Sequence, residues 1–214
     1  MTQPNDLLRG VAKGPQATFL IADGKVIWID PFRIGDGHPK ADIVFITHAH
    51  GDHLSTSDLQ KVIKPETIAV GPPDCVSQVP VSEGKRVSVA PGETHTIDGI
   101  HVEVVPAYNL TRQGHPRGNN WVGYIIEVGG RRVYHAGDTD RIPEMKDFRA
   151  DVALVPVGGT YTMDAAEAAA AVNEDIKPTV AVPMHYTVVG SEADAEEFTR
   201  LVTVATSQVM KQTL

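Results

Sequence analysis

The chain has 214 residues, of which 42% are hydrophobic and 21% charged, and its formal net charge is -8 at pH 7. This composition is typical of a globular protein and excludes a fibrous or disordered chain, while the length suits one domain over residues 1–214. The acidic balance argues against a nucleic-acid-binding surface, so no nucleic-acid partner is expected.

The first half of the chain alternates short β-like runs with turns. Thr18–Ala22 and Lys25–Ile29 predict a hairpin, because Asp23-Gly24 between them is a strong turn signal. The apolar run "ADIVFIT" predicts a strand buried on both faces, and "STSDLQKVI" predicts a short helix in which Ser57 and Gln60 have capping-box spacing. Further strands are predicted for "TIAVGPP", "KRVSVAPG", "ETHTIDG" and "IHVEVVPAY".

The second half repeats this order of elements. The segment "GYIIEVGGRRVYHAGDTD" predicts a hairpin that turns at Gly129-Gly130 and ends in Asp138, as the first hairpin ends in Asp30. The runs "VALVPVGG" and "PTVAVPMHY" predict buried strands. Two helices are predicted for "MDAAEAAAAVNEDI", capped by Asp164 and Glu167, and for "SEADAEEFTRLVTVATS". Strands followed by helices in both halves predict sheets with helices on their outer faces.

A cluster of histidines follows the predicted strand "ADIVFIT". His48, His50, Asp52 and His53 lie within six positions, in the order H-x-H-x-D-H. In extended backbone the side chains of His48 and His50 lie on one side, where they could bind a single ion. Gly51 would then let the chain turn sharply, so that Asp52 and His53 face a neighbouring ion. Neutral imidazole and carboxylate suit Zn²⁺, Fe or Mn²⁺, and the cluster therefore predicts a metal site.

Four ligands from one loop cannot complete two metal sites, so further ligands are expected at other strand ends. Asp138 ends the second hairpin in a Gly-Asp-Thr turn, from which its carboxylate could bridge two ions. His185 stands at the end of the strand "PTVAVPMHY", and His115 follows the strand "IHVEVVPAY".

With these residues in this order, the sequence resembles the metallo-β-lactamase-fold hydrolase superfamily from "VIWIDPF" to "PMHY". The segments "IDPF", "YHAGDTD", "VGGTYTMDAAEAA" and "MHY" are similar to those of small single-domain hydrolases related to the ascorbate-6-phosphate lactonases. The resemblance implies an α/β fold, α+β in some schemes, built as a four-layer αββα sandwich. It also implies two divalent ions between the sheets at one edge, zinc in the first place, with manganese or iron as alternatives.

The resemblance assigns a role to each candidate residue. Its implied ligands are His48 and His50 for the first ion, Asp52, His53 and His185 for the second, and Asp138 as the bridge. Asp52 and His185 are also the candidate catalytic residues. Asp30 matches an aspartate that orients the site from below rather than binding metal, which suits the need of ligand histidines for a hydrogen-bond acceptor.

The remaining ligand of the first ion departs from the family pattern. Where family members commonly carry a histidine shortly after "PA", this sequence has Tyr108-Asn109, and His115 follows on a longer loop. We expect His115 to be the ligand, because imidazole binds Zn²⁺ better than a neutral amide does. The alternative is that Asn109 binds the ion weakly and His115 lies on the surface.

The chemistry expected of such a site is hydrolysis. Two divalent ions about 3.5–4 Å apart lower the pKa of a bridging water towards 7, and the hydroxide would cleave a small anionic ester, lactone or phosphodiester. Arg112 and Arg117, on either side of His115, could grip a phosphate or carboxylate of that substrate, with solvated loop arginines as the alternative. A phosphodiesterase or nuclease, and a mono-iron sulfur dioxygenase-type oxidoreductase, are the rival functions.

Four further residues are secondary candidates at the same site. Gly158 and Gly159 could let a substrate approach the backbone, and Tyr161 and Tyr186 could donate a hydrogen bond to a substrate oxyanion. A structural role is the alternative for each tyrosine.

The remaining features concern compartment and partners. Cys75 is the only cysteine, which excludes an intrachain disulfide and a multi-cysteine zinc site. The first residues lack the apolar core of a signal peptide, and no stretch approaches the ~20 apolar residues that span a bilayer. We therefore expect a cytoplasmic enzyme with a small-molecule substrate and no membrane partner, and leave open a homo-oligomer.

Overall fold

Two β-sheets packed face to face form the centre of the computed structural model, which describes residues 3–214. The strands are β1 (Val11–Lys13), β2 (Phe19–Asp23), β3 (Lys25–Ile29), β4 (Ile43–Phe45), β5 (Ile68–Gly71), β6 (Arg86–Ser88), β7 (Thr94–Ile97), β8 (Ile100–Pro106), β9 (Val122–Val128), β10 (Arg131–His135), β11 (Val152–Pro156), β12 (Val180–Met184) and β13 (Thr206–Ser207). The helices are α1 (Pro4–Leu7), α2 (Thr56–Val62), α3 (Pro73–Val76), α4 (Ala165–Ala170) and α5 (Glu192–Leu201).

Each sheet combines an antiparallel hairpin with parallel strands. Within residues 3–214, the first sheet has six strands in the order β1-β2-β3-β4-β5-β6, and the second has seven in the order β13-β12-β11-β10-β9-β8-β7. Strands β3 to β6 run parallel, as do β10 to β13. Because the carboxyl ends of parallel strands meet at one edge of a sheet, the loops that follow β4, β10 and β12 can share one site.

The alternation of side chains along the strands builds the layers. In the first sheet, Phe19 and Phe45 point into the core between the sheets, whereas Trp28 and Val44 point outward and pack against α2 and α3. The Phe45 ring lies 4.8 Å from the ring of Tyr124 on the second sheet. On the other side of the molecule, α5 packs against α4 and β12. The result is the predicted α/β fold with an αββα layer order.

Both predicted hairpins are confirmed. The first consists of β2 and β3 and turns at Gly24, where φ is +78°. The second consists of β9 and β10 and turns at Gly129 and Gly130, where φ is +58° and +75°. Glycine tolerates these left-handed conformations without the steric cost that a Cβ would bring. Strand β4 is buried on both faces, as its apolar run predicted.

The cap of α2 differs from the prediction. The helix starts at Thr56, and Ser55 is its N-cap, with Oγ accepting a hydrogen bond from the Asp58 backbone N–H at 3.4 Å. Ser57 therefore lies inside the first turn rather than at the cap. The backbone explains the difference, because Ser55 has the extended conformation that an N-cap requires.

The last helix is shorter than the sequence predicted. It ends at Leu201, where Asn173 Nδ2 donates to the Leu201 carbonyl at 2.9 Å and Asn173 Oδ1 accepts from the Thr203 N–H at 2.8 Å. These bonds satisfy backbone groups that a further turn would have used, and the β-branched run "VTV" favours the extended chain. The chain then continues into β13. The predicted helix before β12 forms as α4 with its capping box, but its second half, Ala171–Ile176, is π-helical.

Three short segments were not predicted as they occur. Elements α1, β1 and α3 were missed, and Cys75 lies buried in α3. Burial raises the pKa of the Cys75 thiol, so it is a poor nucleophile. Within residues 3–214 no helix has the length and apolarity that a membrane crossing requires.

Candidate metal centre

The candidate ligands lie at the carboxyl ends of three parallel strands, on both sheets. His48, His50, Asp52 and His53 follow β4, Asp138 follows β10, and His185 directly follows β12. His115 reaches the same place from the long connection between β8 and β9. The structure brings these side chains together in three overlapping groups, each with potential ligand atoms within 4.8 Å of one another: His48, His50 and His115; His48, His53 and Asp138; Asp52, His53 and His185.

The turn inside the H-x-H-x-D-H motif forms differently from the prediction. The N–H groups of His53 and Leu54 both donate to the His50 carbonyl, at 3.0 and 2.8 Å. Gly51 is not among the glycines with positive φ, and a Cβ at this position would meet no atom within 4 Å. The expectation that the turn needs the conformational freedom of Gly51 is therefore wrong.

The first group consists of three converging imidazoles. His48 Nε2 lies 3.1 Å from His50 Nδ1, and His115 is in the same group. His48 and His115 are almost completely buried. Two neutral imidazole nitrogens at this separation present lone pairs to each other unless one carries a proton or a cation lies between them. The arrangement therefore suits a metal ion.

Asn109 contacts His115 instead of taking its place. Asn109 Oδ1 accepts hydrogen bonds from the backbone N–H of His115 at 2.9 Å and from its ring Nδ1 at 3.1 Å. This leaves His115 Nε2 facing Asp138 Oδ2 at 3.3 Å. The geometry favours His115 over Asn109 as the ligand, and it gives Asn109 the role of orienting the ring.

The second group consists of Asp52, His53 and His185. Asp52 Oδ2 lies 3.7 Å from His53 Nε2 and 3.5 Å from His185 Nε2. The rings of His53 and His185 stack with their centroids 5.5 Å apart. Asp52 is the more accessible member, with 30% of its side chain exposed. Its carboxylate thus faces both the buried imidazoles and the open side of the centre.

Asp138 lies between the two groups. Its Oδ1 is 3.3 Å from His53 Nε2, while its Oδ2 is 3.1 Å from His185 Nε2 and 3.9 Å from His48 Nε2. Only 3% of the Asp138 side chain is exposed. A carboxylate in this place can contact ions on both sides.

A buried network supports the histidines from below. Asp30 Oδ2 lies 2.7 Å from His53 Nδ1 and accepts from the Thr47 hydroxyl at 2.6 Å, and Asp30 Oδ1 accepts from the Thr47 N–H at 2.8 Å. Thr47 Oγ1 lies 3.0 Å from His48 Nδ1. These contacts leave Nε2 of both histidines to face the centre, in the orienting role expected of Asp30.

Gln16 is a contact of the centre that the sequence analysis did not select. Its Nε2 lies 3.4 Å from Asp52 Oδ2 and 3.3 Å from His185 Nε2. Its Oε1 accepts from the N–H of Val188 at 3.0 Å, and its backbone carbonyl accepts from the His185 N–H at 3.0 Å. Gln16 has a φ of +51° before β2, and no sequence motif marks it.

Trp121 is a second residue that sequence reasoning missed. Its ring lies 5.0 Å from that of His48 and 4.9 Å from that of His50, between centroids. Its indole N–H donates to Asp74 Oδ2 at 2.9 Å. An aromatic wall fixed in this way limits the rotation of both imidazoles.

Gly158 allows close contact between protein segments, not between protein and substrate as expected. A Cβ at Gly158 would overlap the carbonyl oxygen of His185 and lie 2.8 Å from that of Val189. His185 itself has a φ of +58°, an unfavourable conformation for a residue with a side chain. The missing side chain at Gly158 therefore makes room for the turn that carries His185.

Neither arginine beside His115 faces the centre. Arg112 donates to the Gly159 carbonyl and to Asp140 Oδ1, both at 3.0 Å, and it pairs with Glu167. Arg117 pairs with Glu144 at 3.0 Å and is 71% exposed. Carboxylates of the protein already bind both arginines, which favours the alternative that they do not grip the substrate.

The two candidate tyrosines have different environments. Tyr161 lines the cavity in front of the centre and is 48% exposed. Tyr186 is only 2% exposed, and the Lys13 ammonium lies 4.7 Å from the centroid of its ring. Tyr161 can therefore contact a substrate, whereas Tyr186 has the structural role.

Burial and charge act in opposite directions on the histidines. Burial lowers the pKa of His48 well below its ordinary value, so this imidazole is neutral and ready to bind metal. Burial also opposes protonation of His185, but the neighbouring Asp138 carboxylate outweighs it and raises the pKa of His185 to about 9. A proton on His185 would compete with a metal ion, so metal binding at this residue would release a proton at neutral pH.

The unpaired polar atoms fit a divalent ion. Among residues 3–214, the buried atoms without a hydrogen-bond partner include His53 Nε2, His115 Nε2 and Asp138 Oδ1. Buried polar atoms are rarely left unpaired, and these three are all in the centre. A set of imidazoles with two carboxylates is the donor chemistry of Zn²⁺, and also of iron and manganese.

Comparison with known proteins gives consistent matches along the chain. Residues 13–185 match the beta-lactamase superfamily domain. A UPF0173 metal-dependent hydrolase of Thermococcus kodakarensis is 39% identical over 207 residues, which cover 87% of this chain and 88% of the relative.

Two solved structures are similar over nearly their whole length. A Parabacteroides distasonis protein described as a metal-dependent hydrolase is 32% identical, with a TM-score of 0.81 over 94% of this chain and 93% of that one. Igni18, a metallo hydrolase from Ignicoccus hospitalis, is 27% identical, with a TM-score of 0.76 and 95% of each chain covered.

Proposed function

The chain belongs to the beta-lactamase superfamily, among its metal-dependent hydrolases, and from this premise we propose that it binds two divalent ions and hydrolyses a small ester, lactone or phosphodiester. The proposed ligands are His48, His50 and His115 for the first ion, Asp52, His53 and His185 for the second, and Asp138 between them. The observation that carries the proposal is the position of the buried Asp138 carboxylate, within 3.3 Å of imidazole nitrogens on both sides. Zinc suits this donor set best, because imidazoles outnumber carboxylates.

In the proposed reaction, the ions and the side chains have different roles. When bound, the ions would acidify a water that attacks the scissile bond and would polarise the oxygen of the substrate. Asp52 and Asp138 supply negative charge beside the ions, and Asp52, being partly exposed, is the carboxylate nearest to solvent and is proposed to accept a proton during the reaction. Asp30 and Thr47 fix the imidazoles in the orientation that this chemistry needs.

The cavity in front of the centre suits a small substrate group. Its volume is about 280 Å³, and Tyr161 and Val189 line it together with candidate ligands. This volume accommodates a small molecule and is near the lower limit of ordinary ligand sites. Tyr161 is the lining residue whose hydroxyl is proposed to donate a hydrogen bond to a substrate oxygen.

The proposal is tested by turnover of three substrates by the zinc-loaded protein: an activated aryl ester, a small lactone and an activated phosphodiester. We expect hydrolysis of at least one, and a loss of more than about 100-fold in His50→Ala, because one imidazole of the first ion is removed. His95→Ala is the matched control, since His95 lies on β7 and pairs with Glu93 at 2.9 Å.

Two outcomes would contradict the proposal. One is equal turnover by His50→Ala and His95→Ala, which would place the activity elsewhere. The other is no hydrolysis of any of the three substrates, combined with oxygen uptake by the iron-loaded protein on a persulfide, which would favour the dioxygenase.

A further inference from the structure

Two kinds of residue line the cavity beside the metal centre. Five of them are candidate ligands, namely His50, Asp52, His115, Asp138 and His185. The others, here called the uncharged wall, are Gly114, Tyr161 and Val189. A Cβ on Gly114 would lie 3.8 Å from Tyr161 Cδ1, so the Tyr161 ring is close to the loop that carries His115. Within residues 3–214, no lysine or arginine lines this cavity.

The arginines closest in sequence are bound by other groups. Arg112 uses its three guanidinium nitrogens on Gly159, Asp140 and Glu167. Arg117 stacks on the Tyr108 ring at 4.8 Å and lines a different cavity. A carboxylate or phosphate at the far end of a substrate would therefore be partly desolvated without a cation of the protein beside it, which is unfavourable.

Further exposed apolar side chains belong to the loops that contribute to the cavity wall. Within the described residues, the large apolar side chains that are clearly exposed are Leu110, Tyr161, Val188, Val204 and Val209. Leu110 belongs to the loop that carries His115, and Val188 precedes Val189 in the loop after His185. A single exposed apolar residue is ordinary, but the exposed Tyr161 ring next to Val189 in a cavity without a lining lysine or arginine among residues 3–214 favours an apolar group there.

We propose that the substrate, beyond its scissile bond, is uncharged and apolar, such as a short acyl chain or a lactone ring with an alkyl substituent. This inference rests on the proposed function, because it assumes that the scissile group lies at the ions. The apolar group then lies against Tyr161 and Val189. Each methylene that is buried there raises kcat/KM roughly three- to fourfold.

The test uses two ligands with the same metal-binding head. Butyrohydroxamate has a neutral tail, and succinic monohydroxamate has a tail of the same length that ends in a carboxylate. Their Kd values for the zinc-loaded protein are measured by calorimetry. We expect butyrohydroxamate to bind at least tenfold more tightly, and equal or tighter binding of the succinic compound would overturn the inference.

A pair of variants shows whether the uncharged wall causes the preference. Val189→Lys places a cation at the cavity and should reduce the preference at least tenfold or invert it. Val204→Lys makes the same change at a side chain that is 53% exposed and does not line the cavity, and it should leave the preference unchanged. Equal behaviour of the two variants would overturn the assignment to this wall.

Turnover of the corresponding p-nitrophenyl butyrate and p-nitrophenyl hemisuccinate separates the inference from the proposed function. Preferred hydrolysis of the butyrate supports both. If neither ester nor any other hydrolysable substrate is cleaved while the hydroxamates bind in the expected order, the proposed hydrolysis fails and the inference about the cavity stands.

Discussion

Asn109 Oδ1 accepts hydrogen bonds from both the backbone N–H and the ring Nδ1 of His115, at 2.9 and 3.1 Å. This double contact fixes the His115 ring across a six-residue step in the sequence and directs its Nε2 towards Asp138. The residue that occupies the expected ligand position thus orients a ligand that follows on a longer loop.

Loss of this contact should weaken metal binding. In Asn109→Ala the His115 ring loses its acceptor, and we expect the affinity for one ion to fall about 10- to 100-fold. Asn109→Asp retains an acceptor and should restore most of the affinity. Competition with a coloured chelator measures the change, with the exposed neighbour Leu110→Ala as control. Equal affinities of Asn109→Ala and Leu110→Ala would show that His115 does not depend on Asn109.

A side chain at Gly158 should damage both stability and the centre. The Cβ in Gly158→Ala would overlap the His185 carbonyl oxygen, and displacing packed backbone costs about 1–3 kcal/mol of unfolding free energy. We also expect weaker binding of one ion, because the backbone of His185 must move. Gly84→Ala is the control, since a Cβ there meets no atom within 4 Å. Thermal unfolding and metal titration of both variants check this, and similar results for the two would refute it.

Arg112 should contribute to the stability of the fold and not to the selection between neutral and anionic substrates. Arg112→Gln removes ionic contacts to Asp140 and Glu167, and we expect a loss of about 1–3 kcal/mol in urea unfolding. Arg117→Gln should cost less than about 0.5 kcal/mol, because the Arg117 side chain is 71% exposed. The ratio of neutral to anionic ester turnover should be unchanged in both. A selective loss of anionic turnover in Arg112→Gln would show that it contacts substrate.

Lys13 should make the unfolding free energy depend on pH in the alkaline range. Burial lowers the pKa of Lys13 from 10.5 to about 8, with Glu192 opposing, and the Lys13 residue is 0% exposed. The folded state therefore releases the Lys13 proton first, so the unfolded state binds more protons between the two pKa values and stability rises with pH in that window.

The magnitude can be measured against a variant that lacks the group. Between pH 7 and 10 the unfolding free energy of the wild type should rise by about 2 kcal/mol relative to that of Lys13→Met. Lys40→Met removes an exposed lysine and should follow the wild type. Urea unfolding at both pH values checks this, and parallel pH profiles for wild type and Lys13→Met would contradict it.

The sequence predicted the sheets well because their signals are local. The turns at Gly24 and at Gly129-Gly130 need backbone that glycine adopts easily, and the apolar runs mark buried strands. The end of α5 depends instead on Asn173, which is far away in the sequence and contacts Leu201 only in the fold. A prediction from neighbouring residues alone cannot include that contact.

The same distinction applies to the centre. The spacing of His48, His50, Asp52 and His53 is local, and the positions of Asp138 and His185 at strand ends follow from the topology. Gln16 contacts His185 in the centre although the two residues are 169 positions apart in the sequence. No sequence motif marks the turn that contains Gln16. The contacts of Arg112 likewise depend on Glu167, which lies 55 positions away. Neither contact could be derived without the fold.

We propose that catalysis depends on two ions held by one cluster of ligands. The most direct test is to strip the protein with a chelator and to titrate it with Zn²⁺ while following hydrolysis of the best substrate. We predict that activity is absent at the start and rises until two ions are bound per chain. Full activity at one ion per chain, or activity that survives complete removal of metal, would contradict this account.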